Sequence, residues 1–167
     1  MEKTNVMRIL DKHKINYQVH YYGDSGLISG MEVANYLKEN PNQVFKTLVT
    51  MSKKKEYYVF VIPVCQELDL KKSALAVHEK SVEMIPFKEL LKVTGYIHGG
   101  CSPIGMKKQF VTVLDSSATS CNYIMISAGK IGYQIEIQIS DLEKIIPIIY
   151  ADITKHTEIT DFDKKIM

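Results

Sequence analysis

The sequence predicts an α+β domain, a mixed sheet of about six strands curled toward a barrel with helices packed around it. Three observations carry this. Val44 to Met51 and Tyr57 to Pro63 are strong strand patterns flanking a short polar tip; three further β-rich runs follow beyond residue 110; and amphipathic helical stripes fall between and around them. A chain of 167 residues with 46% hydrophobic and 24% charged residues has the composition of one soluble globular domain, and it can bury a core without staples.

In chain order, apolar residues at Val6, Ile9, Leu10 and His13 follow the i, i+3, i+4, i+7 rule, which predicts a helix over 4–14. The run 15–22 alternates and is rich in β-branched and aromatic residues, a strand. Ser29-Gly30-Met31-Glu32 has the spacing of a capping box and opens a helix that runs to about Asn40, stopped by Pro41. The strands 44–51 and 57–63 form a hairpin across Lys53-Lys54-Lys55. Asp69 caps a helix to Val77, and Pro86 begins another that ends at Gly95. Strands are expected at 112–114, 123–127 and 133–139, and a second capping box, Ser140 to Glu143, opens a last helix limited by Pro147. The expected organisation is one domain over 1–150, with 151–167 as a tail, either a short appended helix or frayed.

Charge narrows the function. Lys+Arg 21 against Asp+Glu 19 gives +2, and Arg8 is the only arginine, which is not the charge of a protein that coats DNA. The three cysteines, Cys65, Cys101 and Cys121, form no CxxC pair, which favours a reducing cytoplasm over a disulfide scaffold or zinc finger. No signal-peptide pattern opens the chain, and no apolar run approaches the roughly 20 residues of a membrane helix. The five histidines lack ligand spacing, so neither a metal nor a cofactor is expected.

Two features do not read as scaffolding. Lys46 shares a strand face with Val44, Leu48 and Thr50, an ammonium on a largely apolar surface; the plain alternative is a snorkelling edge-strand lysine. Gly99-Gly100-Cys101-Ser102-Pro103-Ile104-Gly105 allows close backbone approach to an oxyanion or phosphate, and it lacks the spacing of nucleotide P-loops and dinucleotide fingerprints. A tight helix-to-strand connection would account for it equally well. Ser127 to Gly132 is a third glycine-bearing turn. Cys101 has no identifiable activating partner and reads poorly as a nucleophile. Lys53 to Lys55, Lys71-Lys72 and Lys107-Lys108 would form an RNA-backbone track only if the fold brought them to one rim.

Read together and in order, Val44 to Val49 (VFKTLV), Asp69 to Lys72 (DLKK), Val82 to Met84 (VEM), Thr94 to Tyr96 (TGY), Gly99 to Lys108 (GGCSPIGMKK) and Ser127 to Lys130 (SAGK) resemble the Cys-tRNA(Pro) deacylase family, YbaK/EbsC. The resemblance spans about 4–150 and implies a free-standing aminoacyl-tRNA editing domain with aminoacylated tRNA(Pro) as substrate and prolyl-tRNA synthetase as partner. It also implies that the substrate's own thiol attacks its ester, releasing a thiolactone, so that Cys101 is no nucleophile. Carried over, Lys46 is the essential lysine, and Gly99 with Gly100 completes the catalytic set. Tyr22, Cys101, Ser102, Pro103, Gly105, Ser127 and Gly129 are implied to line the substrate. Two departures stand out: Ser29 replaces an aromatic residue before the pocket helix, leaving Leu27 or Ile28 to fill in, and Ile131 replaces a frequent arginine. The alternatives are an editing deacylase for Ala- or Ser-tRNA and a non-catalytic tRNA- or synthetase-binding module.

Overall fold

A computed structural model describes residues 2–157. Helix α1 (Asn5–Lys12) starts at Thr4, whose hydroxyl accepts from the Met7 amide. Its buried stripe is Val6, Met7 and Leu10, with Ile9 partly covered. His13 lies outside it, exposed, its ring turned back to the Ile9 carbonyl. Strand β1 (Gln18–Tyr21) follows, then α2 (Gly30–Tyr36), the hairpin β2 (Phe45–Ser52) and β3 (Tyr57–Pro63), and α3 (Leu70–Ala76), where the Asp69 carboxylate caps the Lys72 amide at 3.0 Å. After these come β4 (Val82–Met84), α4 (Phe87–Thr94), β5 (Val111–Asp115), β6 (Tyr123–Lys130), β7 (Tyr133–Gln138), α5 (Ile139–Ile145) and β8 (Ile149–Ala151).

Among the described residues, eight strands form two sheets rather than one sheet of six. One has the order β1-β7-β6, the other β4-β2-β3-β5-β8, and a parallel bridge from Val44 to Met125 ties them at one corner. The larger sheet is covered on both faces. Val59 and Val61 of β3 enter the main core with α1, β6 and β7, while Phe60 and Ile62 enter a second core with Leu68, Ala74, Val77 and Ile153. Such a central strand must be apolar at every position, which is why β3 reads as a continuous apolar run.

Three expectations need correction. Helix α2 ends at Tyr36, not near Asn40, because Lys38 turns left-handed (φ 56) and the Glu39 amide returns to the Ala34 carbonyl. Neither capping box forms. Ser29 sits at the cap position without a side-chain bond, and Ser140 lies inside α5, whose cap position is Gln138. Residues 151–157 pack against the body. Ile153 is fully buried, its amide donates to Asp115 Oδ1 at 3.1 Å, and Thr154 bridges Leu68. The rest of the expected tail, 158–167, lies outside the described residues.

Candidate functional site

A cavity of about 410 Å³ opens where the corner between the sheets meets the loop after α4. The first residues of β2 run along it, Val44 through Leu48, so Lys46 lies in its wall, half-buried. Burial pulls the Lys46 ammonium below its ordinary pKa, and the nearby Cys65 and Glu67 act in the opposite direction. Tyr22, buried just after β1 and tied by its amide to the Gly132 carbonyl at 2.8 Å, forms another part of the wall. Burial also raises its phenol pKa.

The loop after α4 enters the cavity at His98, Gly99 and Cys101. Gly99 is left-handed (φ 87), and a Cβ there would run into Ile28, which also lines the cavity. Gly100 lies behind it. A Cβ at Gly100 would stand 3.0 Å from the Ile131 amide nitrogen, so this glycine lets the loop lie on the turn between β6 and β7. Ser127 lines the cavity at the end of the regular β6–β7 ladder, where the register shifts, and its hydroxyl accepts from the Gly129 amide at 3.1 Å.

The structure thus brings Tyr22, Lys46, Gly99, Cys101 and Ser127 to one cavity. Gly100, Ser102, Pro103, Gly105 and Gly129 do not line it. Ser102 is fully buried and accepts from the Ile104 amide; Gly105 and Gly129 both pack against Tyr96, whose hydroxyl donates to the Ile104 carbonyl. The Cys101 thiol is pushed up to about 12, chiefly by burial, with a smaller opposing contribution from a hydrogen bond to Thr94. At neutral pH a thiolate there would be on the order of 10⁻⁵ of the population, so Cys101 is not an activated nucleophile. None of the three lysine clusters lines the cavity, and Lys72 is engaged by Asp152 and the Thr154 carbonyl. Among the described residues no group of three His, Cys, Asp or Glu side chains could hold a metal ion.

Sequence reasoning missed His98, Thr47 and Gln134 as lining residues. The His98 ring stacks on exposed Phe87, centroids 4.0 Å apart. Gln134 alternates with Tyr133 and Ile135 as a solvent-facing strand residue would, yet it is only 4% exposed.

Residues 29–145, which include all of these lining residues except Tyr22 and Ile28, match the aminoacyl-tRNA editing domain. The chain belongs to this family. It is 46% identical over 154 residues, 92% of this chain and 94% of the other, to EbsC of Enterococcus faecalis (strain ATCC 700802 / V583), a protein provisionally named Cys-tRNA(Pro)/Cys-tRNA(Cys) deacylase. The fold is shared with solved structures of low identity. Hypothetical protein APE2540 has a TM-score of 0.82 at 19% identity, covering 91% of this chain and 100% of its own. A protein provisionally described as a trans-editing enzyme for prolyl tRNA synthetase has a TM-score of 0.78 at 20% identity, covering 92% and 99%. No helix among the described residues is long and apolar enough to cross a membrane.

Proposed function

We propose that this editing domain deacylates tRNA(Pro) mischarged with cysteine, acting in the cytoplasm on aminoacyl-tRNA released by prolyl-tRNA synthetase. The observation that carries the reading is a half-buried lysine in the wall of a cavity that also contains Gly99, Ser127 and Tyr22, together with the 46% identity to EbsC. Holding an ammonium in a half-buried wall costs solvation, and an anionic ligand such as the phosphate of the 3′-terminal nucleotide repays it. Gly99, lacking a Cβ, lets the loop lie against Ile28 at the cavity wall, and its backbone is the part that would meet the terminal ribose.

The ester needs little further activation. The substrate thiol forms a bond to the carbonyl carbon, the carbon–oxygen bond to the ribose breaks, and the thiol proton ends on the departing ribose oxygen, giving a thiolactone and free tRNA. The protein contributes position and charge, with Lys46 supporting the developing oxyanion. A neutral Cys101 accords with this scheme, because the reactive thiol belongs to the substrate.

The test is Lys46→Ala on tRNA(Pro) charged with Cys, Ala or Ser and on Cys-tRNA(Cys). The expected result is a folded variant, at least as stable as the parent, that releases cysteine about 10²-fold more slowly, the scale of losing one oxyanion donor. Full activity in the variant would overturn the site. Ala or Ser released faster than Cys by the unaltered protein would overturn the thiol-assisted scheme. A salt dependence of tRNA binding equivalent to fewer than about two phosphate contacts would leave tRNA selection to a bound synthetase.

A further inference from the structure

Helix α4 borders the cavity through Leu90, and its opposite side faces solvent. Helical spacing sets Phe87 and Leu91 one above the other there, 66% and 52% exposed, with Lys88 and Lys92 in the adjoining row, both exposed. The chain after the helix brings His98 back to Phe87, where the two rings stack with centroids 4.0 Å apart and planes 19° from parallel. His98 lines the cavity and Phe87 does not, so Phe87 backs the imidazole from outside. Lys107 is fixed at the far end of the helix: its amide donates to the Thr94 carbonyl at 3.0 Å, and its ammonium reaches the Lys92 carbonyl at 3.5 Å. From Phe87 to Lys108 the chain carries four lysines against the single carboxylate of Glu89, more positive charge than the +2 of the whole protein.

Flat exposed rings interleaved with lysines are how proteins hold unpaired nucleotides, the rings stacking on bases and the ammonium groups facing phosphates. A protein partner fits this face less well, because lysines are depleted where proteins meet. Position then selects the nucleotide. In the aminoacyl-ester reading of the cavity, on which this inference rests, the ribose meets the Gly99 backbone; His98 is the adjacent residue, and a base is one bond from its ribose. We propose that His98 is the stacking platform for the base of the esterified nucleotide. The base lies on the cavity side of the imidazole and extends the stack that Phe87 begins, while Lys88, Lys92 and Lys107 face the phosphates of the strand leading to it. Phe87 is a positioning residue that holds the imidazole plane. Every base has a π face, so the platform grips the 3′ end without reading its sequence and leaves discrimination to the part of the cavity that holds the aminoacyl group.

Binding tests it without turnover. The probes are two RNA hairpins of a tRNA(Pro) acceptor stem with its unpaired 3′ end, each carrying cysteine through a stable 3′-amide; one retains the terminal adenine and the other has an abasic sugar in its place. Calorimetry on the unaltered protein is expected to show the base-bearing hairpin bound at least about tenfold more tightly. His98→Ala should abolish that preference, His98→Phe should keep it because a flat ring remains, and Phe87→Ala should reduce it. All three should keep the parent melting temperature, since both side chains are exposed. The preference ratio separates this role from a structural one, because a distorted cavity would weaken both hairpins alike. Equal binding of the two hairpins to the unaltered protein, an undiminished preference in His98→Ala, or a preference lost in His98→Phe as well overturns the proposal. If His98→Ala and Phe87→Ala leave both hairpins bound as before and lose binding to prolyl-tRNA synthetase, the face belongs to a protein partner and the proposal is overturned. A preference that follows His98 while no charged tRNA is deacylated would refute the proposed activity and leave the platform standing. Failure of both hairpins to bind refutes the platform, and deacylation of Cys-tRNA(Pro) alongside it would leave the activity intact.

Discussion

The stretch from His98 to Gly105 divides in the middle. His98, Gly99 and Cys101 line the cavity, whereas Ser102 to Ile104 are buried and Gly105 sits over Tyr96 and Ile9. Both halves carry glycines in left-handed conformations, φ 87 at Gly99 and 79 at Gly105, so backbone geometry does not distinguish them. Their neighbours do. A side chain at Gly99 would strike Ile28, an exposed residue at the cavity; one at Gly105 would strike the Tyr96 hydroxyl, which donates to the Ile104 carbonyl in the interior. One motif therefore contains a cavity-facing part and the brace that holds it, and substitutions at the two should fail in different ways.

The largest effect is expected at Gly105. In Gly105→Ala the new Cβ would lie 2.8 Å from Tyr96 Oη and 3.0 Å from Ile9 Cδ1. Left-handed strain of about 1–2 kcal/mol adds to the loss of a buried hydrogen bond, about 1–3 kcal/mol. A total of about 2–5 kcal/mol should lower the melting temperature by roughly 5–20 °C. Deacylation per folded molecule should stay within about twofold. Lost activity at unchanged stability would return Gly105 to the substrate.

Gly99→Ala should invert that pattern. Ile28 is 47% exposed and can swing away, so the stability cost reduces to the left-handed strain, about 1–2 kcal/mol. The displaced Ile28 and the added methyl intrude on the cavity, and deacylation should fall about tenfold or more. Normal activity in this variant would mean that the loop does not approach the ribose.

How far the sequence reveals this division follows from what each residue interacts with. Lys46 was legible because a charge on an apolar strand breaks alternation, and Gly99 because consecutive glycines signal close approach. The hairpin, α3 and α4 carry local signals in their own residues. Strands β4 and β8 are three residues long and exist through partners far along the chain, antiparallel to β2 and parallel to β5, so nothing local announces them. Ser140 has a capping-box pattern, yet α5 begins before it at Ile139, which is buried, and tertiary packing outweighs the local option. Gln134 was illegible for the same reason. It reads as a surface residue until β7 is laid between β1 and β6 in the smaller sheet.

The smallest effect is expected at Cys101, on the boundary between the halves. With no thiolate to lose, Cys101→Ala should change deacylation less than about threefold, and a fall of 10⁴-fold would revive a protein nucleophile. The thiol shows itself instead at alkaline pH. Its folded pKa is about 12 against an ordinary 9.0, so between these values the unfolded chain releases a proton that the folded chain keeps. The unfolded state then binds fewer protons, and stability falls as pH rises, by up to about 1.4 kcal/mol per pH unit for this one group. Tyr17 and Tyr58, also held near 12 against 10.0, steepen the fall above pH 10 in parent and variant alike, while Tyr96, raised to about 12 by burial and in smaller part by Cys101, adds to the parent's steeper decline there. Urea midpoints measured between pH 9 and 10 should therefore decline more steeply in the parent than in Cys101→Ala. Equal slopes would mean that solvent reaches the thiol, and the brace behind Gly99 would then be looser than its contacts with Tyr96 imply.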